Sequence, residues 1–245
     1  MMQANREILV SWKNIKQDIP FLLFKNIFHG IYIYTFNINI EDVEFKLNNI
    51  FSYHCTRHFD SILVISPKDN SLECVTFWKL FFEYIAYGYE YIIKIENNKE
   101  NIKYLYEKLK EFTSLSKDSL VLDFACGTGL SKELIKDVRL LGVDASKSMS
   151  RIANSKGLET LTIKNLNNHI CRYDAIFCSY ALHICNDEET LSVLWNSLKI
   201  GKPFVANFHK GIGVKYVNGF IRKKKGAIIK IKNNKHGKCY AYIKK

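Results

Sequence analysis

The feature that most constrains this chain is Val121-Leu-Asp-Phe-Ala-Cys-Gly-Thr-Gly-Leu130, followed by Gly142-Val-Asp144. The first stretch reads as a short buried strand that ends in small residues and opens a helix. Leu140-Leu-Gly-Val-Asp144 reads as a second buried strand tipped by a carboxylate. A strand, helix and strand in this order form a right-handed parallel unit, so both tips face one crevice. Small residues at 125, 127 and 129 let a ligand approach the backbone, which a larger side chain would block. The first N–H groups of the helix are donors without helical partners. Asp144, 21 residues after Asp123, can accept both hydroxyls of a ribose.

The same alternation continues to the C-terminus. Helices are expected over 130–138 and 146–156, the latter capped by Ser146, and over 186–198. Strands are expected over 159–163, 173–180 and 202–208, with a closing hairpin from 227–231 and 240–243. Upstream, residues 1–30 read as one or two short helices broken at Pro20. Residues 30–39 and 61–66 read as strands, and 42–51, 71–88 and 98–112 as helices. The expected fold is α/β: a doubly wound, Rossmann-like, mostly parallel sheet with a C-terminal antiparallel hairpin and an N-terminal cap. The expected domains are 1–97 and 98–245.

Composition narrows the function classes. With 3 Pro and 12 Gly in 245 residues, collagen-like and bulk-disordered chains are excluded. The net charge of +12 lies entirely in residues 210–245, which hold 12 Lys/Arg and no Asp or Glu. Such a terminus can attract nucleic acid or simply form a solvated face. The seven cysteines are odd in number, contain no C-x-x-C pair and follow no secretory leader, which points to free thiols in a reducing cytoplasm. No run of 18 apolar residues suggests a membrane span.

Two common nucleotide motifs are absent. A dinucleotide fingerprint needs a glycine at 132, where Lys132 stands, and no phosphate loop ending in Gly-Lys-Ser/Thr occurs. The chain instead resembles class I S-adenosylmethionine-dependent methyltransferases. Asp123-x-Ala125-x-Gly127-x-Gly129 resembles their first motif and Gly142 to Met149 their acidic second-strand motif. Tyr173 to His183 resembles their fourth motif, and Leu198 to Phe204 the turn into the fifth strand. The resemblance implies that Gly127 and Gly129 line the methionine moiety, Asp123 lies near its amino group and Asp144 holds the ribose. It also implies cofactor contacts at Ala125, Cys126, Ala145, Leu166 and Ser179. Asn165 stands where the family often has an acid at the adenine amine. Ala125 replaces the first glycine as a common family variant at little cost, and Met149 belongs to the core.

A sulfonium already activates the methyl group, so the protein must mainly align an acceptor and exclude water. Candidate catalytic side chains are His183, a base or orienting group near neutral pKa, Tyr180 beside the transferring methyl, and His209 as an acceptor contact. The Asn/Asp-Pro-Pro-Tyr and Pro-Cys motifs of enzymes that methylate base amines or pyrimidine carbons are missing. Trp195 reads as structural. His54 and His58, spaced for one helical face, lack a third ligand, and no metal site is expected. The tyrosines at 84, 87, 89 and 91 fit an acceptor pocket or simple packing. The expected activity is methyl transfer, releasing S-adenosylhomocysteine, to a small molecule or short peptide. The alternatives are an RNA methyltransferase using the basic C-terminus, especially 222–225, and a non-catalytic cofactor-binding protein. The oligomeric state is not encoded in any motif.

Overall fold

Two sheets account for the strands among the described residues. The computed structural model describes residues 7–11, 22–28, 31–36, 54–59, 62–66, 72–93, 95–184, 187–209 and 211–245. It divides into two units, Met1–Ile93 and Lys94–Lys245.

The first unit holds β1 (Glu7–Ser11), β2 (Leu22–Phe28), β3 (Ile31–Phe36), β4 (His54–Phe59) and β5 (Ile62–Ser66), in the order β2-β3-β1-β5-β4. β1 runs antiparallel to β3 and parallel to β5. Residues 1–30 therefore supply two strands where helices were expected. Glu-Ile-Leu-Val-Ser and Leu-Leu-Phe-Lys-Asn-Ile-Phe are rich in β-branched and aromatic residues, and sheet pairing outweighs weak helical spacing. The expected helix over 42–51 lies outside the described residues. β4 also removes the helical premise for a His54/His58 pair, because four residues along a strand span about 13 Å. Among the described residues no group of three His, Cys, Asp or Glu converges as for a metal. Helix α1 (Leu72–Ile85) packs on β3 and β5. Phe77, Trp78 and Phe81 of α1 are buried, with Trp78 edge-on to both phenylalanines. A 3-10 turn (Ala86–Gly88) and the short α2 (Tyr89–Ile92) follow.

The second unit opens with α3 (Ile95–Phe112). It continues with β6 (Leu120–Phe124), α4 (Leu130–Leu134), β7 (Arg139–Val143), α5 (Lys147–Ser155), β8 (Thr160–Leu161) and α6 (Ile163–Leu166). Then come β9 (Ala175–Cys178), α7 (Glu188–Ser197), β10 (Pro203–Phe208), α8 (Gly211–Lys223), β11 (Ala227–Asn234) and β12 (Gly237–Ile243). The sheet order is β11-β12-β10-β9-β6-β7-β8. β12 is antiparallel to both β10 and β11, and the other pairings are parallel. This is the expected sheet and hairpin. Apolar side chains alternate between its faces. Leu122, Ile176 and Phe204 meet Leu194 and Trp195 of α7 and Val217 and Phe220 of α8. Val121, Phe177 and Val205 meet Ile102, Leu105 and Leu109 of α3 and Ala153 of α5. Met149 and Trp195 are buried in the core, as read from the sequence.

Several boundaries differ. α4 stops at Leu134 because Ile135 is extended, φ −112° and ψ 115°. β8 is shorter than expected because Thr162 caps a new helix, accepting from the Asn165 N–H at 3.2 Å. α8 forms over residues for which the sequence pattern predicts no element. The strand order reverses between β6 and β9, so the crevice lies beyond Phe124 and Cys178, which are register partners.

Candidate active site

The loop after β6 turns sharply through Ala125 (φ 58°), Gly127 (φ 54°) and Gly129 (φ 78°). The Cys126 N–H donates to the Val143 carbonyl at 3.1 Å, tying the loop to β7. The Asp144 carboxylate completes the tie. Its Oδ2 accepts from the Gly127 N–H at 2.8 Å and its Oδ1 from the Ser146 N–H at 2.9 Å. Ser146 then caps α5, accepting from the Met149 N–H at 3.1 Å. The second-strand acid is thus part of the glycine loop's own framework.

The loop's small residues do different work. A Cβ on Gly129 would lie 2.9 Å from both Cα and Cβ of Ala153, so this glycine admits α5. A Cβ on Gly142 would lie 2.7 Å from Cys126 Sγ, so the Cys126 side chain fills the space beside β7. Asp123 is 3% exposed. Burial pushes its carboxyl up to about 7, the Asp144 charge adds to this, and the Ser131 hydroxyl opposes it. Ala145 and Asn165 are exposed, whereas Leu166 is buried in the core.

The candidate catalytic residues converge on the neighbouring tips. Tyr180 has φ 60°, a left-handed conformation that a bulky residue adopts only when its surroundings fix it. Its N–H donates to Asn207 Oδ1 at 2.9 Å, and its ring stacks on His209 at 4.1 Å and 3°. Its hydroxyl lies 2.8 Å from His236 Nδ1. His183 is buried and edge-on to His209, with ring centroids 5.8 Å apart, while His209 is exposed. α8 seats this segment, because a Cβ on Gly213 would lie 2.7 Å from His183 Cα.

Four further residues, none of them marked by a motif, complete the cluster. Asn101 of α3, fully buried, donates to Ser179 Oγ at 2.8 Å and to Asn207 Oδ1 at 3.2 Å. Asn207 in turn donates to the His236 carbonyl at 2.9 Å. With Asn207 so oriented, the Asn101 amide must give its N–H, and its buried Oδ1 has no donor. Glu100 pairs with Lys235 and lies 3.8 Å from His236 Nε2. Two of these carried a sequence signal. Asn101 falls in helical phase with Leu105 and Leu109, and Asn207 interrupts a wholly buried strand. Nothing in spacing marks Glu100 or His236.

Residues 121–203 match a family model described as a methyltransferase domain. No curated protein matches the sequence. Magnesium protoporphyrin IX methyltransferase (ChlM) from Synechocystis PCC 6803, solved with bound S-adenosylmethionine, superposes with TM-score 0.53 at 16% identity. That match covers 73% of this chain and all of the other. YcgJ from Bacillus subtilis has TM-score 0.44 and 20% identity over 52% of this chain and 70% of that one. The sugar N-methyltransferase KedS8 from Streptoalloteichus has TM-score 0.48 and 12% identity over 59% and 86%. Residues 121–203 are thus matched to a methyltransferase domain, on a fold shared with ChlM. Among the described residues no helix is long and apolar enough to cross a membrane.

Proposed function

We propose that the chain transfers the methyl group of S-adenosylmethionine to a small molecule. The observation that carries the cofactor half is the Asp144 carboxylate, bonded to Gly127 and Ser146 N–H groups at the crevice edge. A carboxylate oxygen has two acceptor sites, so Asp144 can hold the loop and accept ribose hydroxyls together. Asp123, buried next to the loop, suits an ammonium group, which would draw it into its ionised form. When bound, S-adenosylmethionine supplies a methyl group already activated by its sulfonium. This chain's residues then orient the acceptor and exclude water. Tyr180, His183 and His209 are assigned to that task because they surround the tip of β9, beside the loop. The five free cysteines among the described residues suit a cytoplasmic setting.

The location of the basic run favours a small acceptor over RNA. Ala227 pairs with Ile243, and Ile243 with Pro203, the first residue of β10. Arg222 to Lys225 therefore lie at the end of the sheet opposite the crevice, about 20 Å away across α8. The test is transfer of tritiated methyl from S-adenosylmethionine to a small-molecule panel and to RNA at graded salt. Changing Arg222, Lys223, Lys224 and Lys225 to Gln should leave small-molecule labelling within about twofold. Labelling of RNA that disappears in this variant would reject the small-molecule reading.

A further inference from the structure

Tyr180 is held at three points in a strained backbone conformation, by Asn207, His209 and His236. Such strain, over-determined by its surroundings, marks a side chain whose position matters. Its hydroxyl meets His236 Nδ1, and the far side of that ring, Nε2, faces the Glu100 carboxylate. Phenol, imidazole and carboxylate thus stand in one line, from the crevice tip of β9 through the β11–β12 turn to α3. We propose that Tyr180, His236 and Glu100 form a proton relay that accepts the proton of a phenolic hydroxyl on an aromatic methyl acceptor. This rests on the methyltransferase reading of the same site.

The polarity of the line follows from its neighbours. Burial pushes the Tyr180 phenol up to about 12, and the Glu100 charge adds to this. Burial, then the Lys235 charge, holds the His236 imidazole below its ordinary value, against the opposing pull of Glu100. At neutral pH Tyr180 keeps its proton and His236 is neutral. The Glu100 carboxylate favours the proton on Nε2, which leaves Nδ1 to accept from the Tyr180 hydroxyl. Among the described residues, the titratable groups that bear on His236 include Tyr180 from the segment after β9, Glu100 from α3 and Lys235 from its own turn. Lys103 bears on Glu100, and His209 lies against Tyr180.

During transfer, the acceptor oxygen gains a bond to the methyl carbon while the sulfur–methyl bond breaks and sulfur keeps the electron pair. The acceptor proton moves to Tyr180 Oη, the Tyr180 proton to His236 Nδ1, and the imidazolium formed is countered by Glu100. Nothing is oxidised or reduced. An acceptor that needs this relay carries its proton at neutral pH but gives it up within reach of imidazole. A phenol does so, whereas an aliphatic alcohol holds its proton too tightly. The stacked Tyr180 and His209 rings, with His209 exposed, offer a flat surface for an aromatic partner.

The test reads the relay with and without turnover. Histidine-labelled protein is titrated by nitrogen NMR. His236 should carry its neutral-state proton on Nε2 and titrate below the ordinary histidine range. Tyr180→Phe, which removes only the donor to Nδ1, should raise that midpoint, and Glu100→Gln should lower it. A proton on Nδ1, or a midpoint indifferent to Tyr180→Phe, would overturn the relay. Methyl transfer is then compared at about pH 8.5 for phenol, which keeps its proton there, and for 4-nitrophenol, which is ionised there. In His236→Gln and Tyr180→Phe, the loss for phenol should exceed that for 4-nitrophenol by about 100-fold or more. Equal losses would overturn the proposal. Calorimetric binding of S-adenosylmethionine to the unaltered chain is measured in parallel. Its absence would reject the methyltransferase reading, while the imidazole titration still reports on the relay itself.

Discussion

Asp123 is buried at the tip of β6 with its carboxyl pushed up to about 7 by burial. Its unfolded value is the ordinary carboxylate one, about 4. The folded state therefore holds the extra proton between these values, and stability is full below the unfolded value and lost as pH rises through about 7. Asp123→Asn should gain on the unaltered protein between about pH 5 and about pH 8, by roughly 2–4 kcal/mol, in denaturant unfolding. The same variant should bind S-adenosylmethionine more weakly, because the ammonium loses its charge partner. A stability difference that is equal at both pH values would contradict this. Ala125 shows a second residue-scale effect. As a family variant its replacement of glycine implies little cost, yet φ is 58°, where an L side chain is penalised by about 1–2 kcal/mol. Allowing for the greater freedom of glycine in the unfolded chain, Ala125→Gly should stabilise by about 0.5–1 kcal/mol at an unchanged denaturant slope. A lowered unfolding midpoint would contradict it.

At the scale of elements, the glycine loop is a packing device as well as the proposed ligand cradle. Gly129→Ala would drive a Cβ into Ala153 at 2.9 Å and force α5 away from the loop. It should cost about 1–3 kcal/mol, and Ala153→Gly in the same chain should recover part of that in the same unfolding measurement. Unchanged stability in the single variant would show that the loop can shift freely. The elements that the sequence announced best are those whose pattern is both apolar and punctuated. β6, β7, β9 and β10 are buried runs that end in turn residues or acids. α8 escaped notice because Gly211, Gly213 and Gly219 lower its helical propensity. Gly213 is explained by its approach to His183, a tertiary contact that no local reading contains. β1 and β2 are not legible as strands because short apolar stretches fit either period until a partner strand selects one.

Across the whole molecule, the two halves of the site differ in legibility for a topological reason. The proposed cofactor half lies in one continuous strand, loop, helix and strand, so its motif survives as text from Asp123 to Asp144. The proposed acceptor half is assembled from α3, the tips of β9 and β10 and the β11–β12 turn. Glu100, Asn101, Asn207 and His236 meet only through the sheet order. The same order sets the basic run of 222–225 at the far end from the crevice, although composition alone invited a link to substrate. The central claim, that this crevice holds S-adenosylmethionine through Asp144, is tested most directly by calorimetric titration into the unaltered chain and into Asp144→Ala. Binding should be near micromolar in the first and weaker by about 10-fold or more in the second, the loss of charge-assisted hydrogen bonds. No binding to the unaltered chain, or equal binding to both, would contradict it.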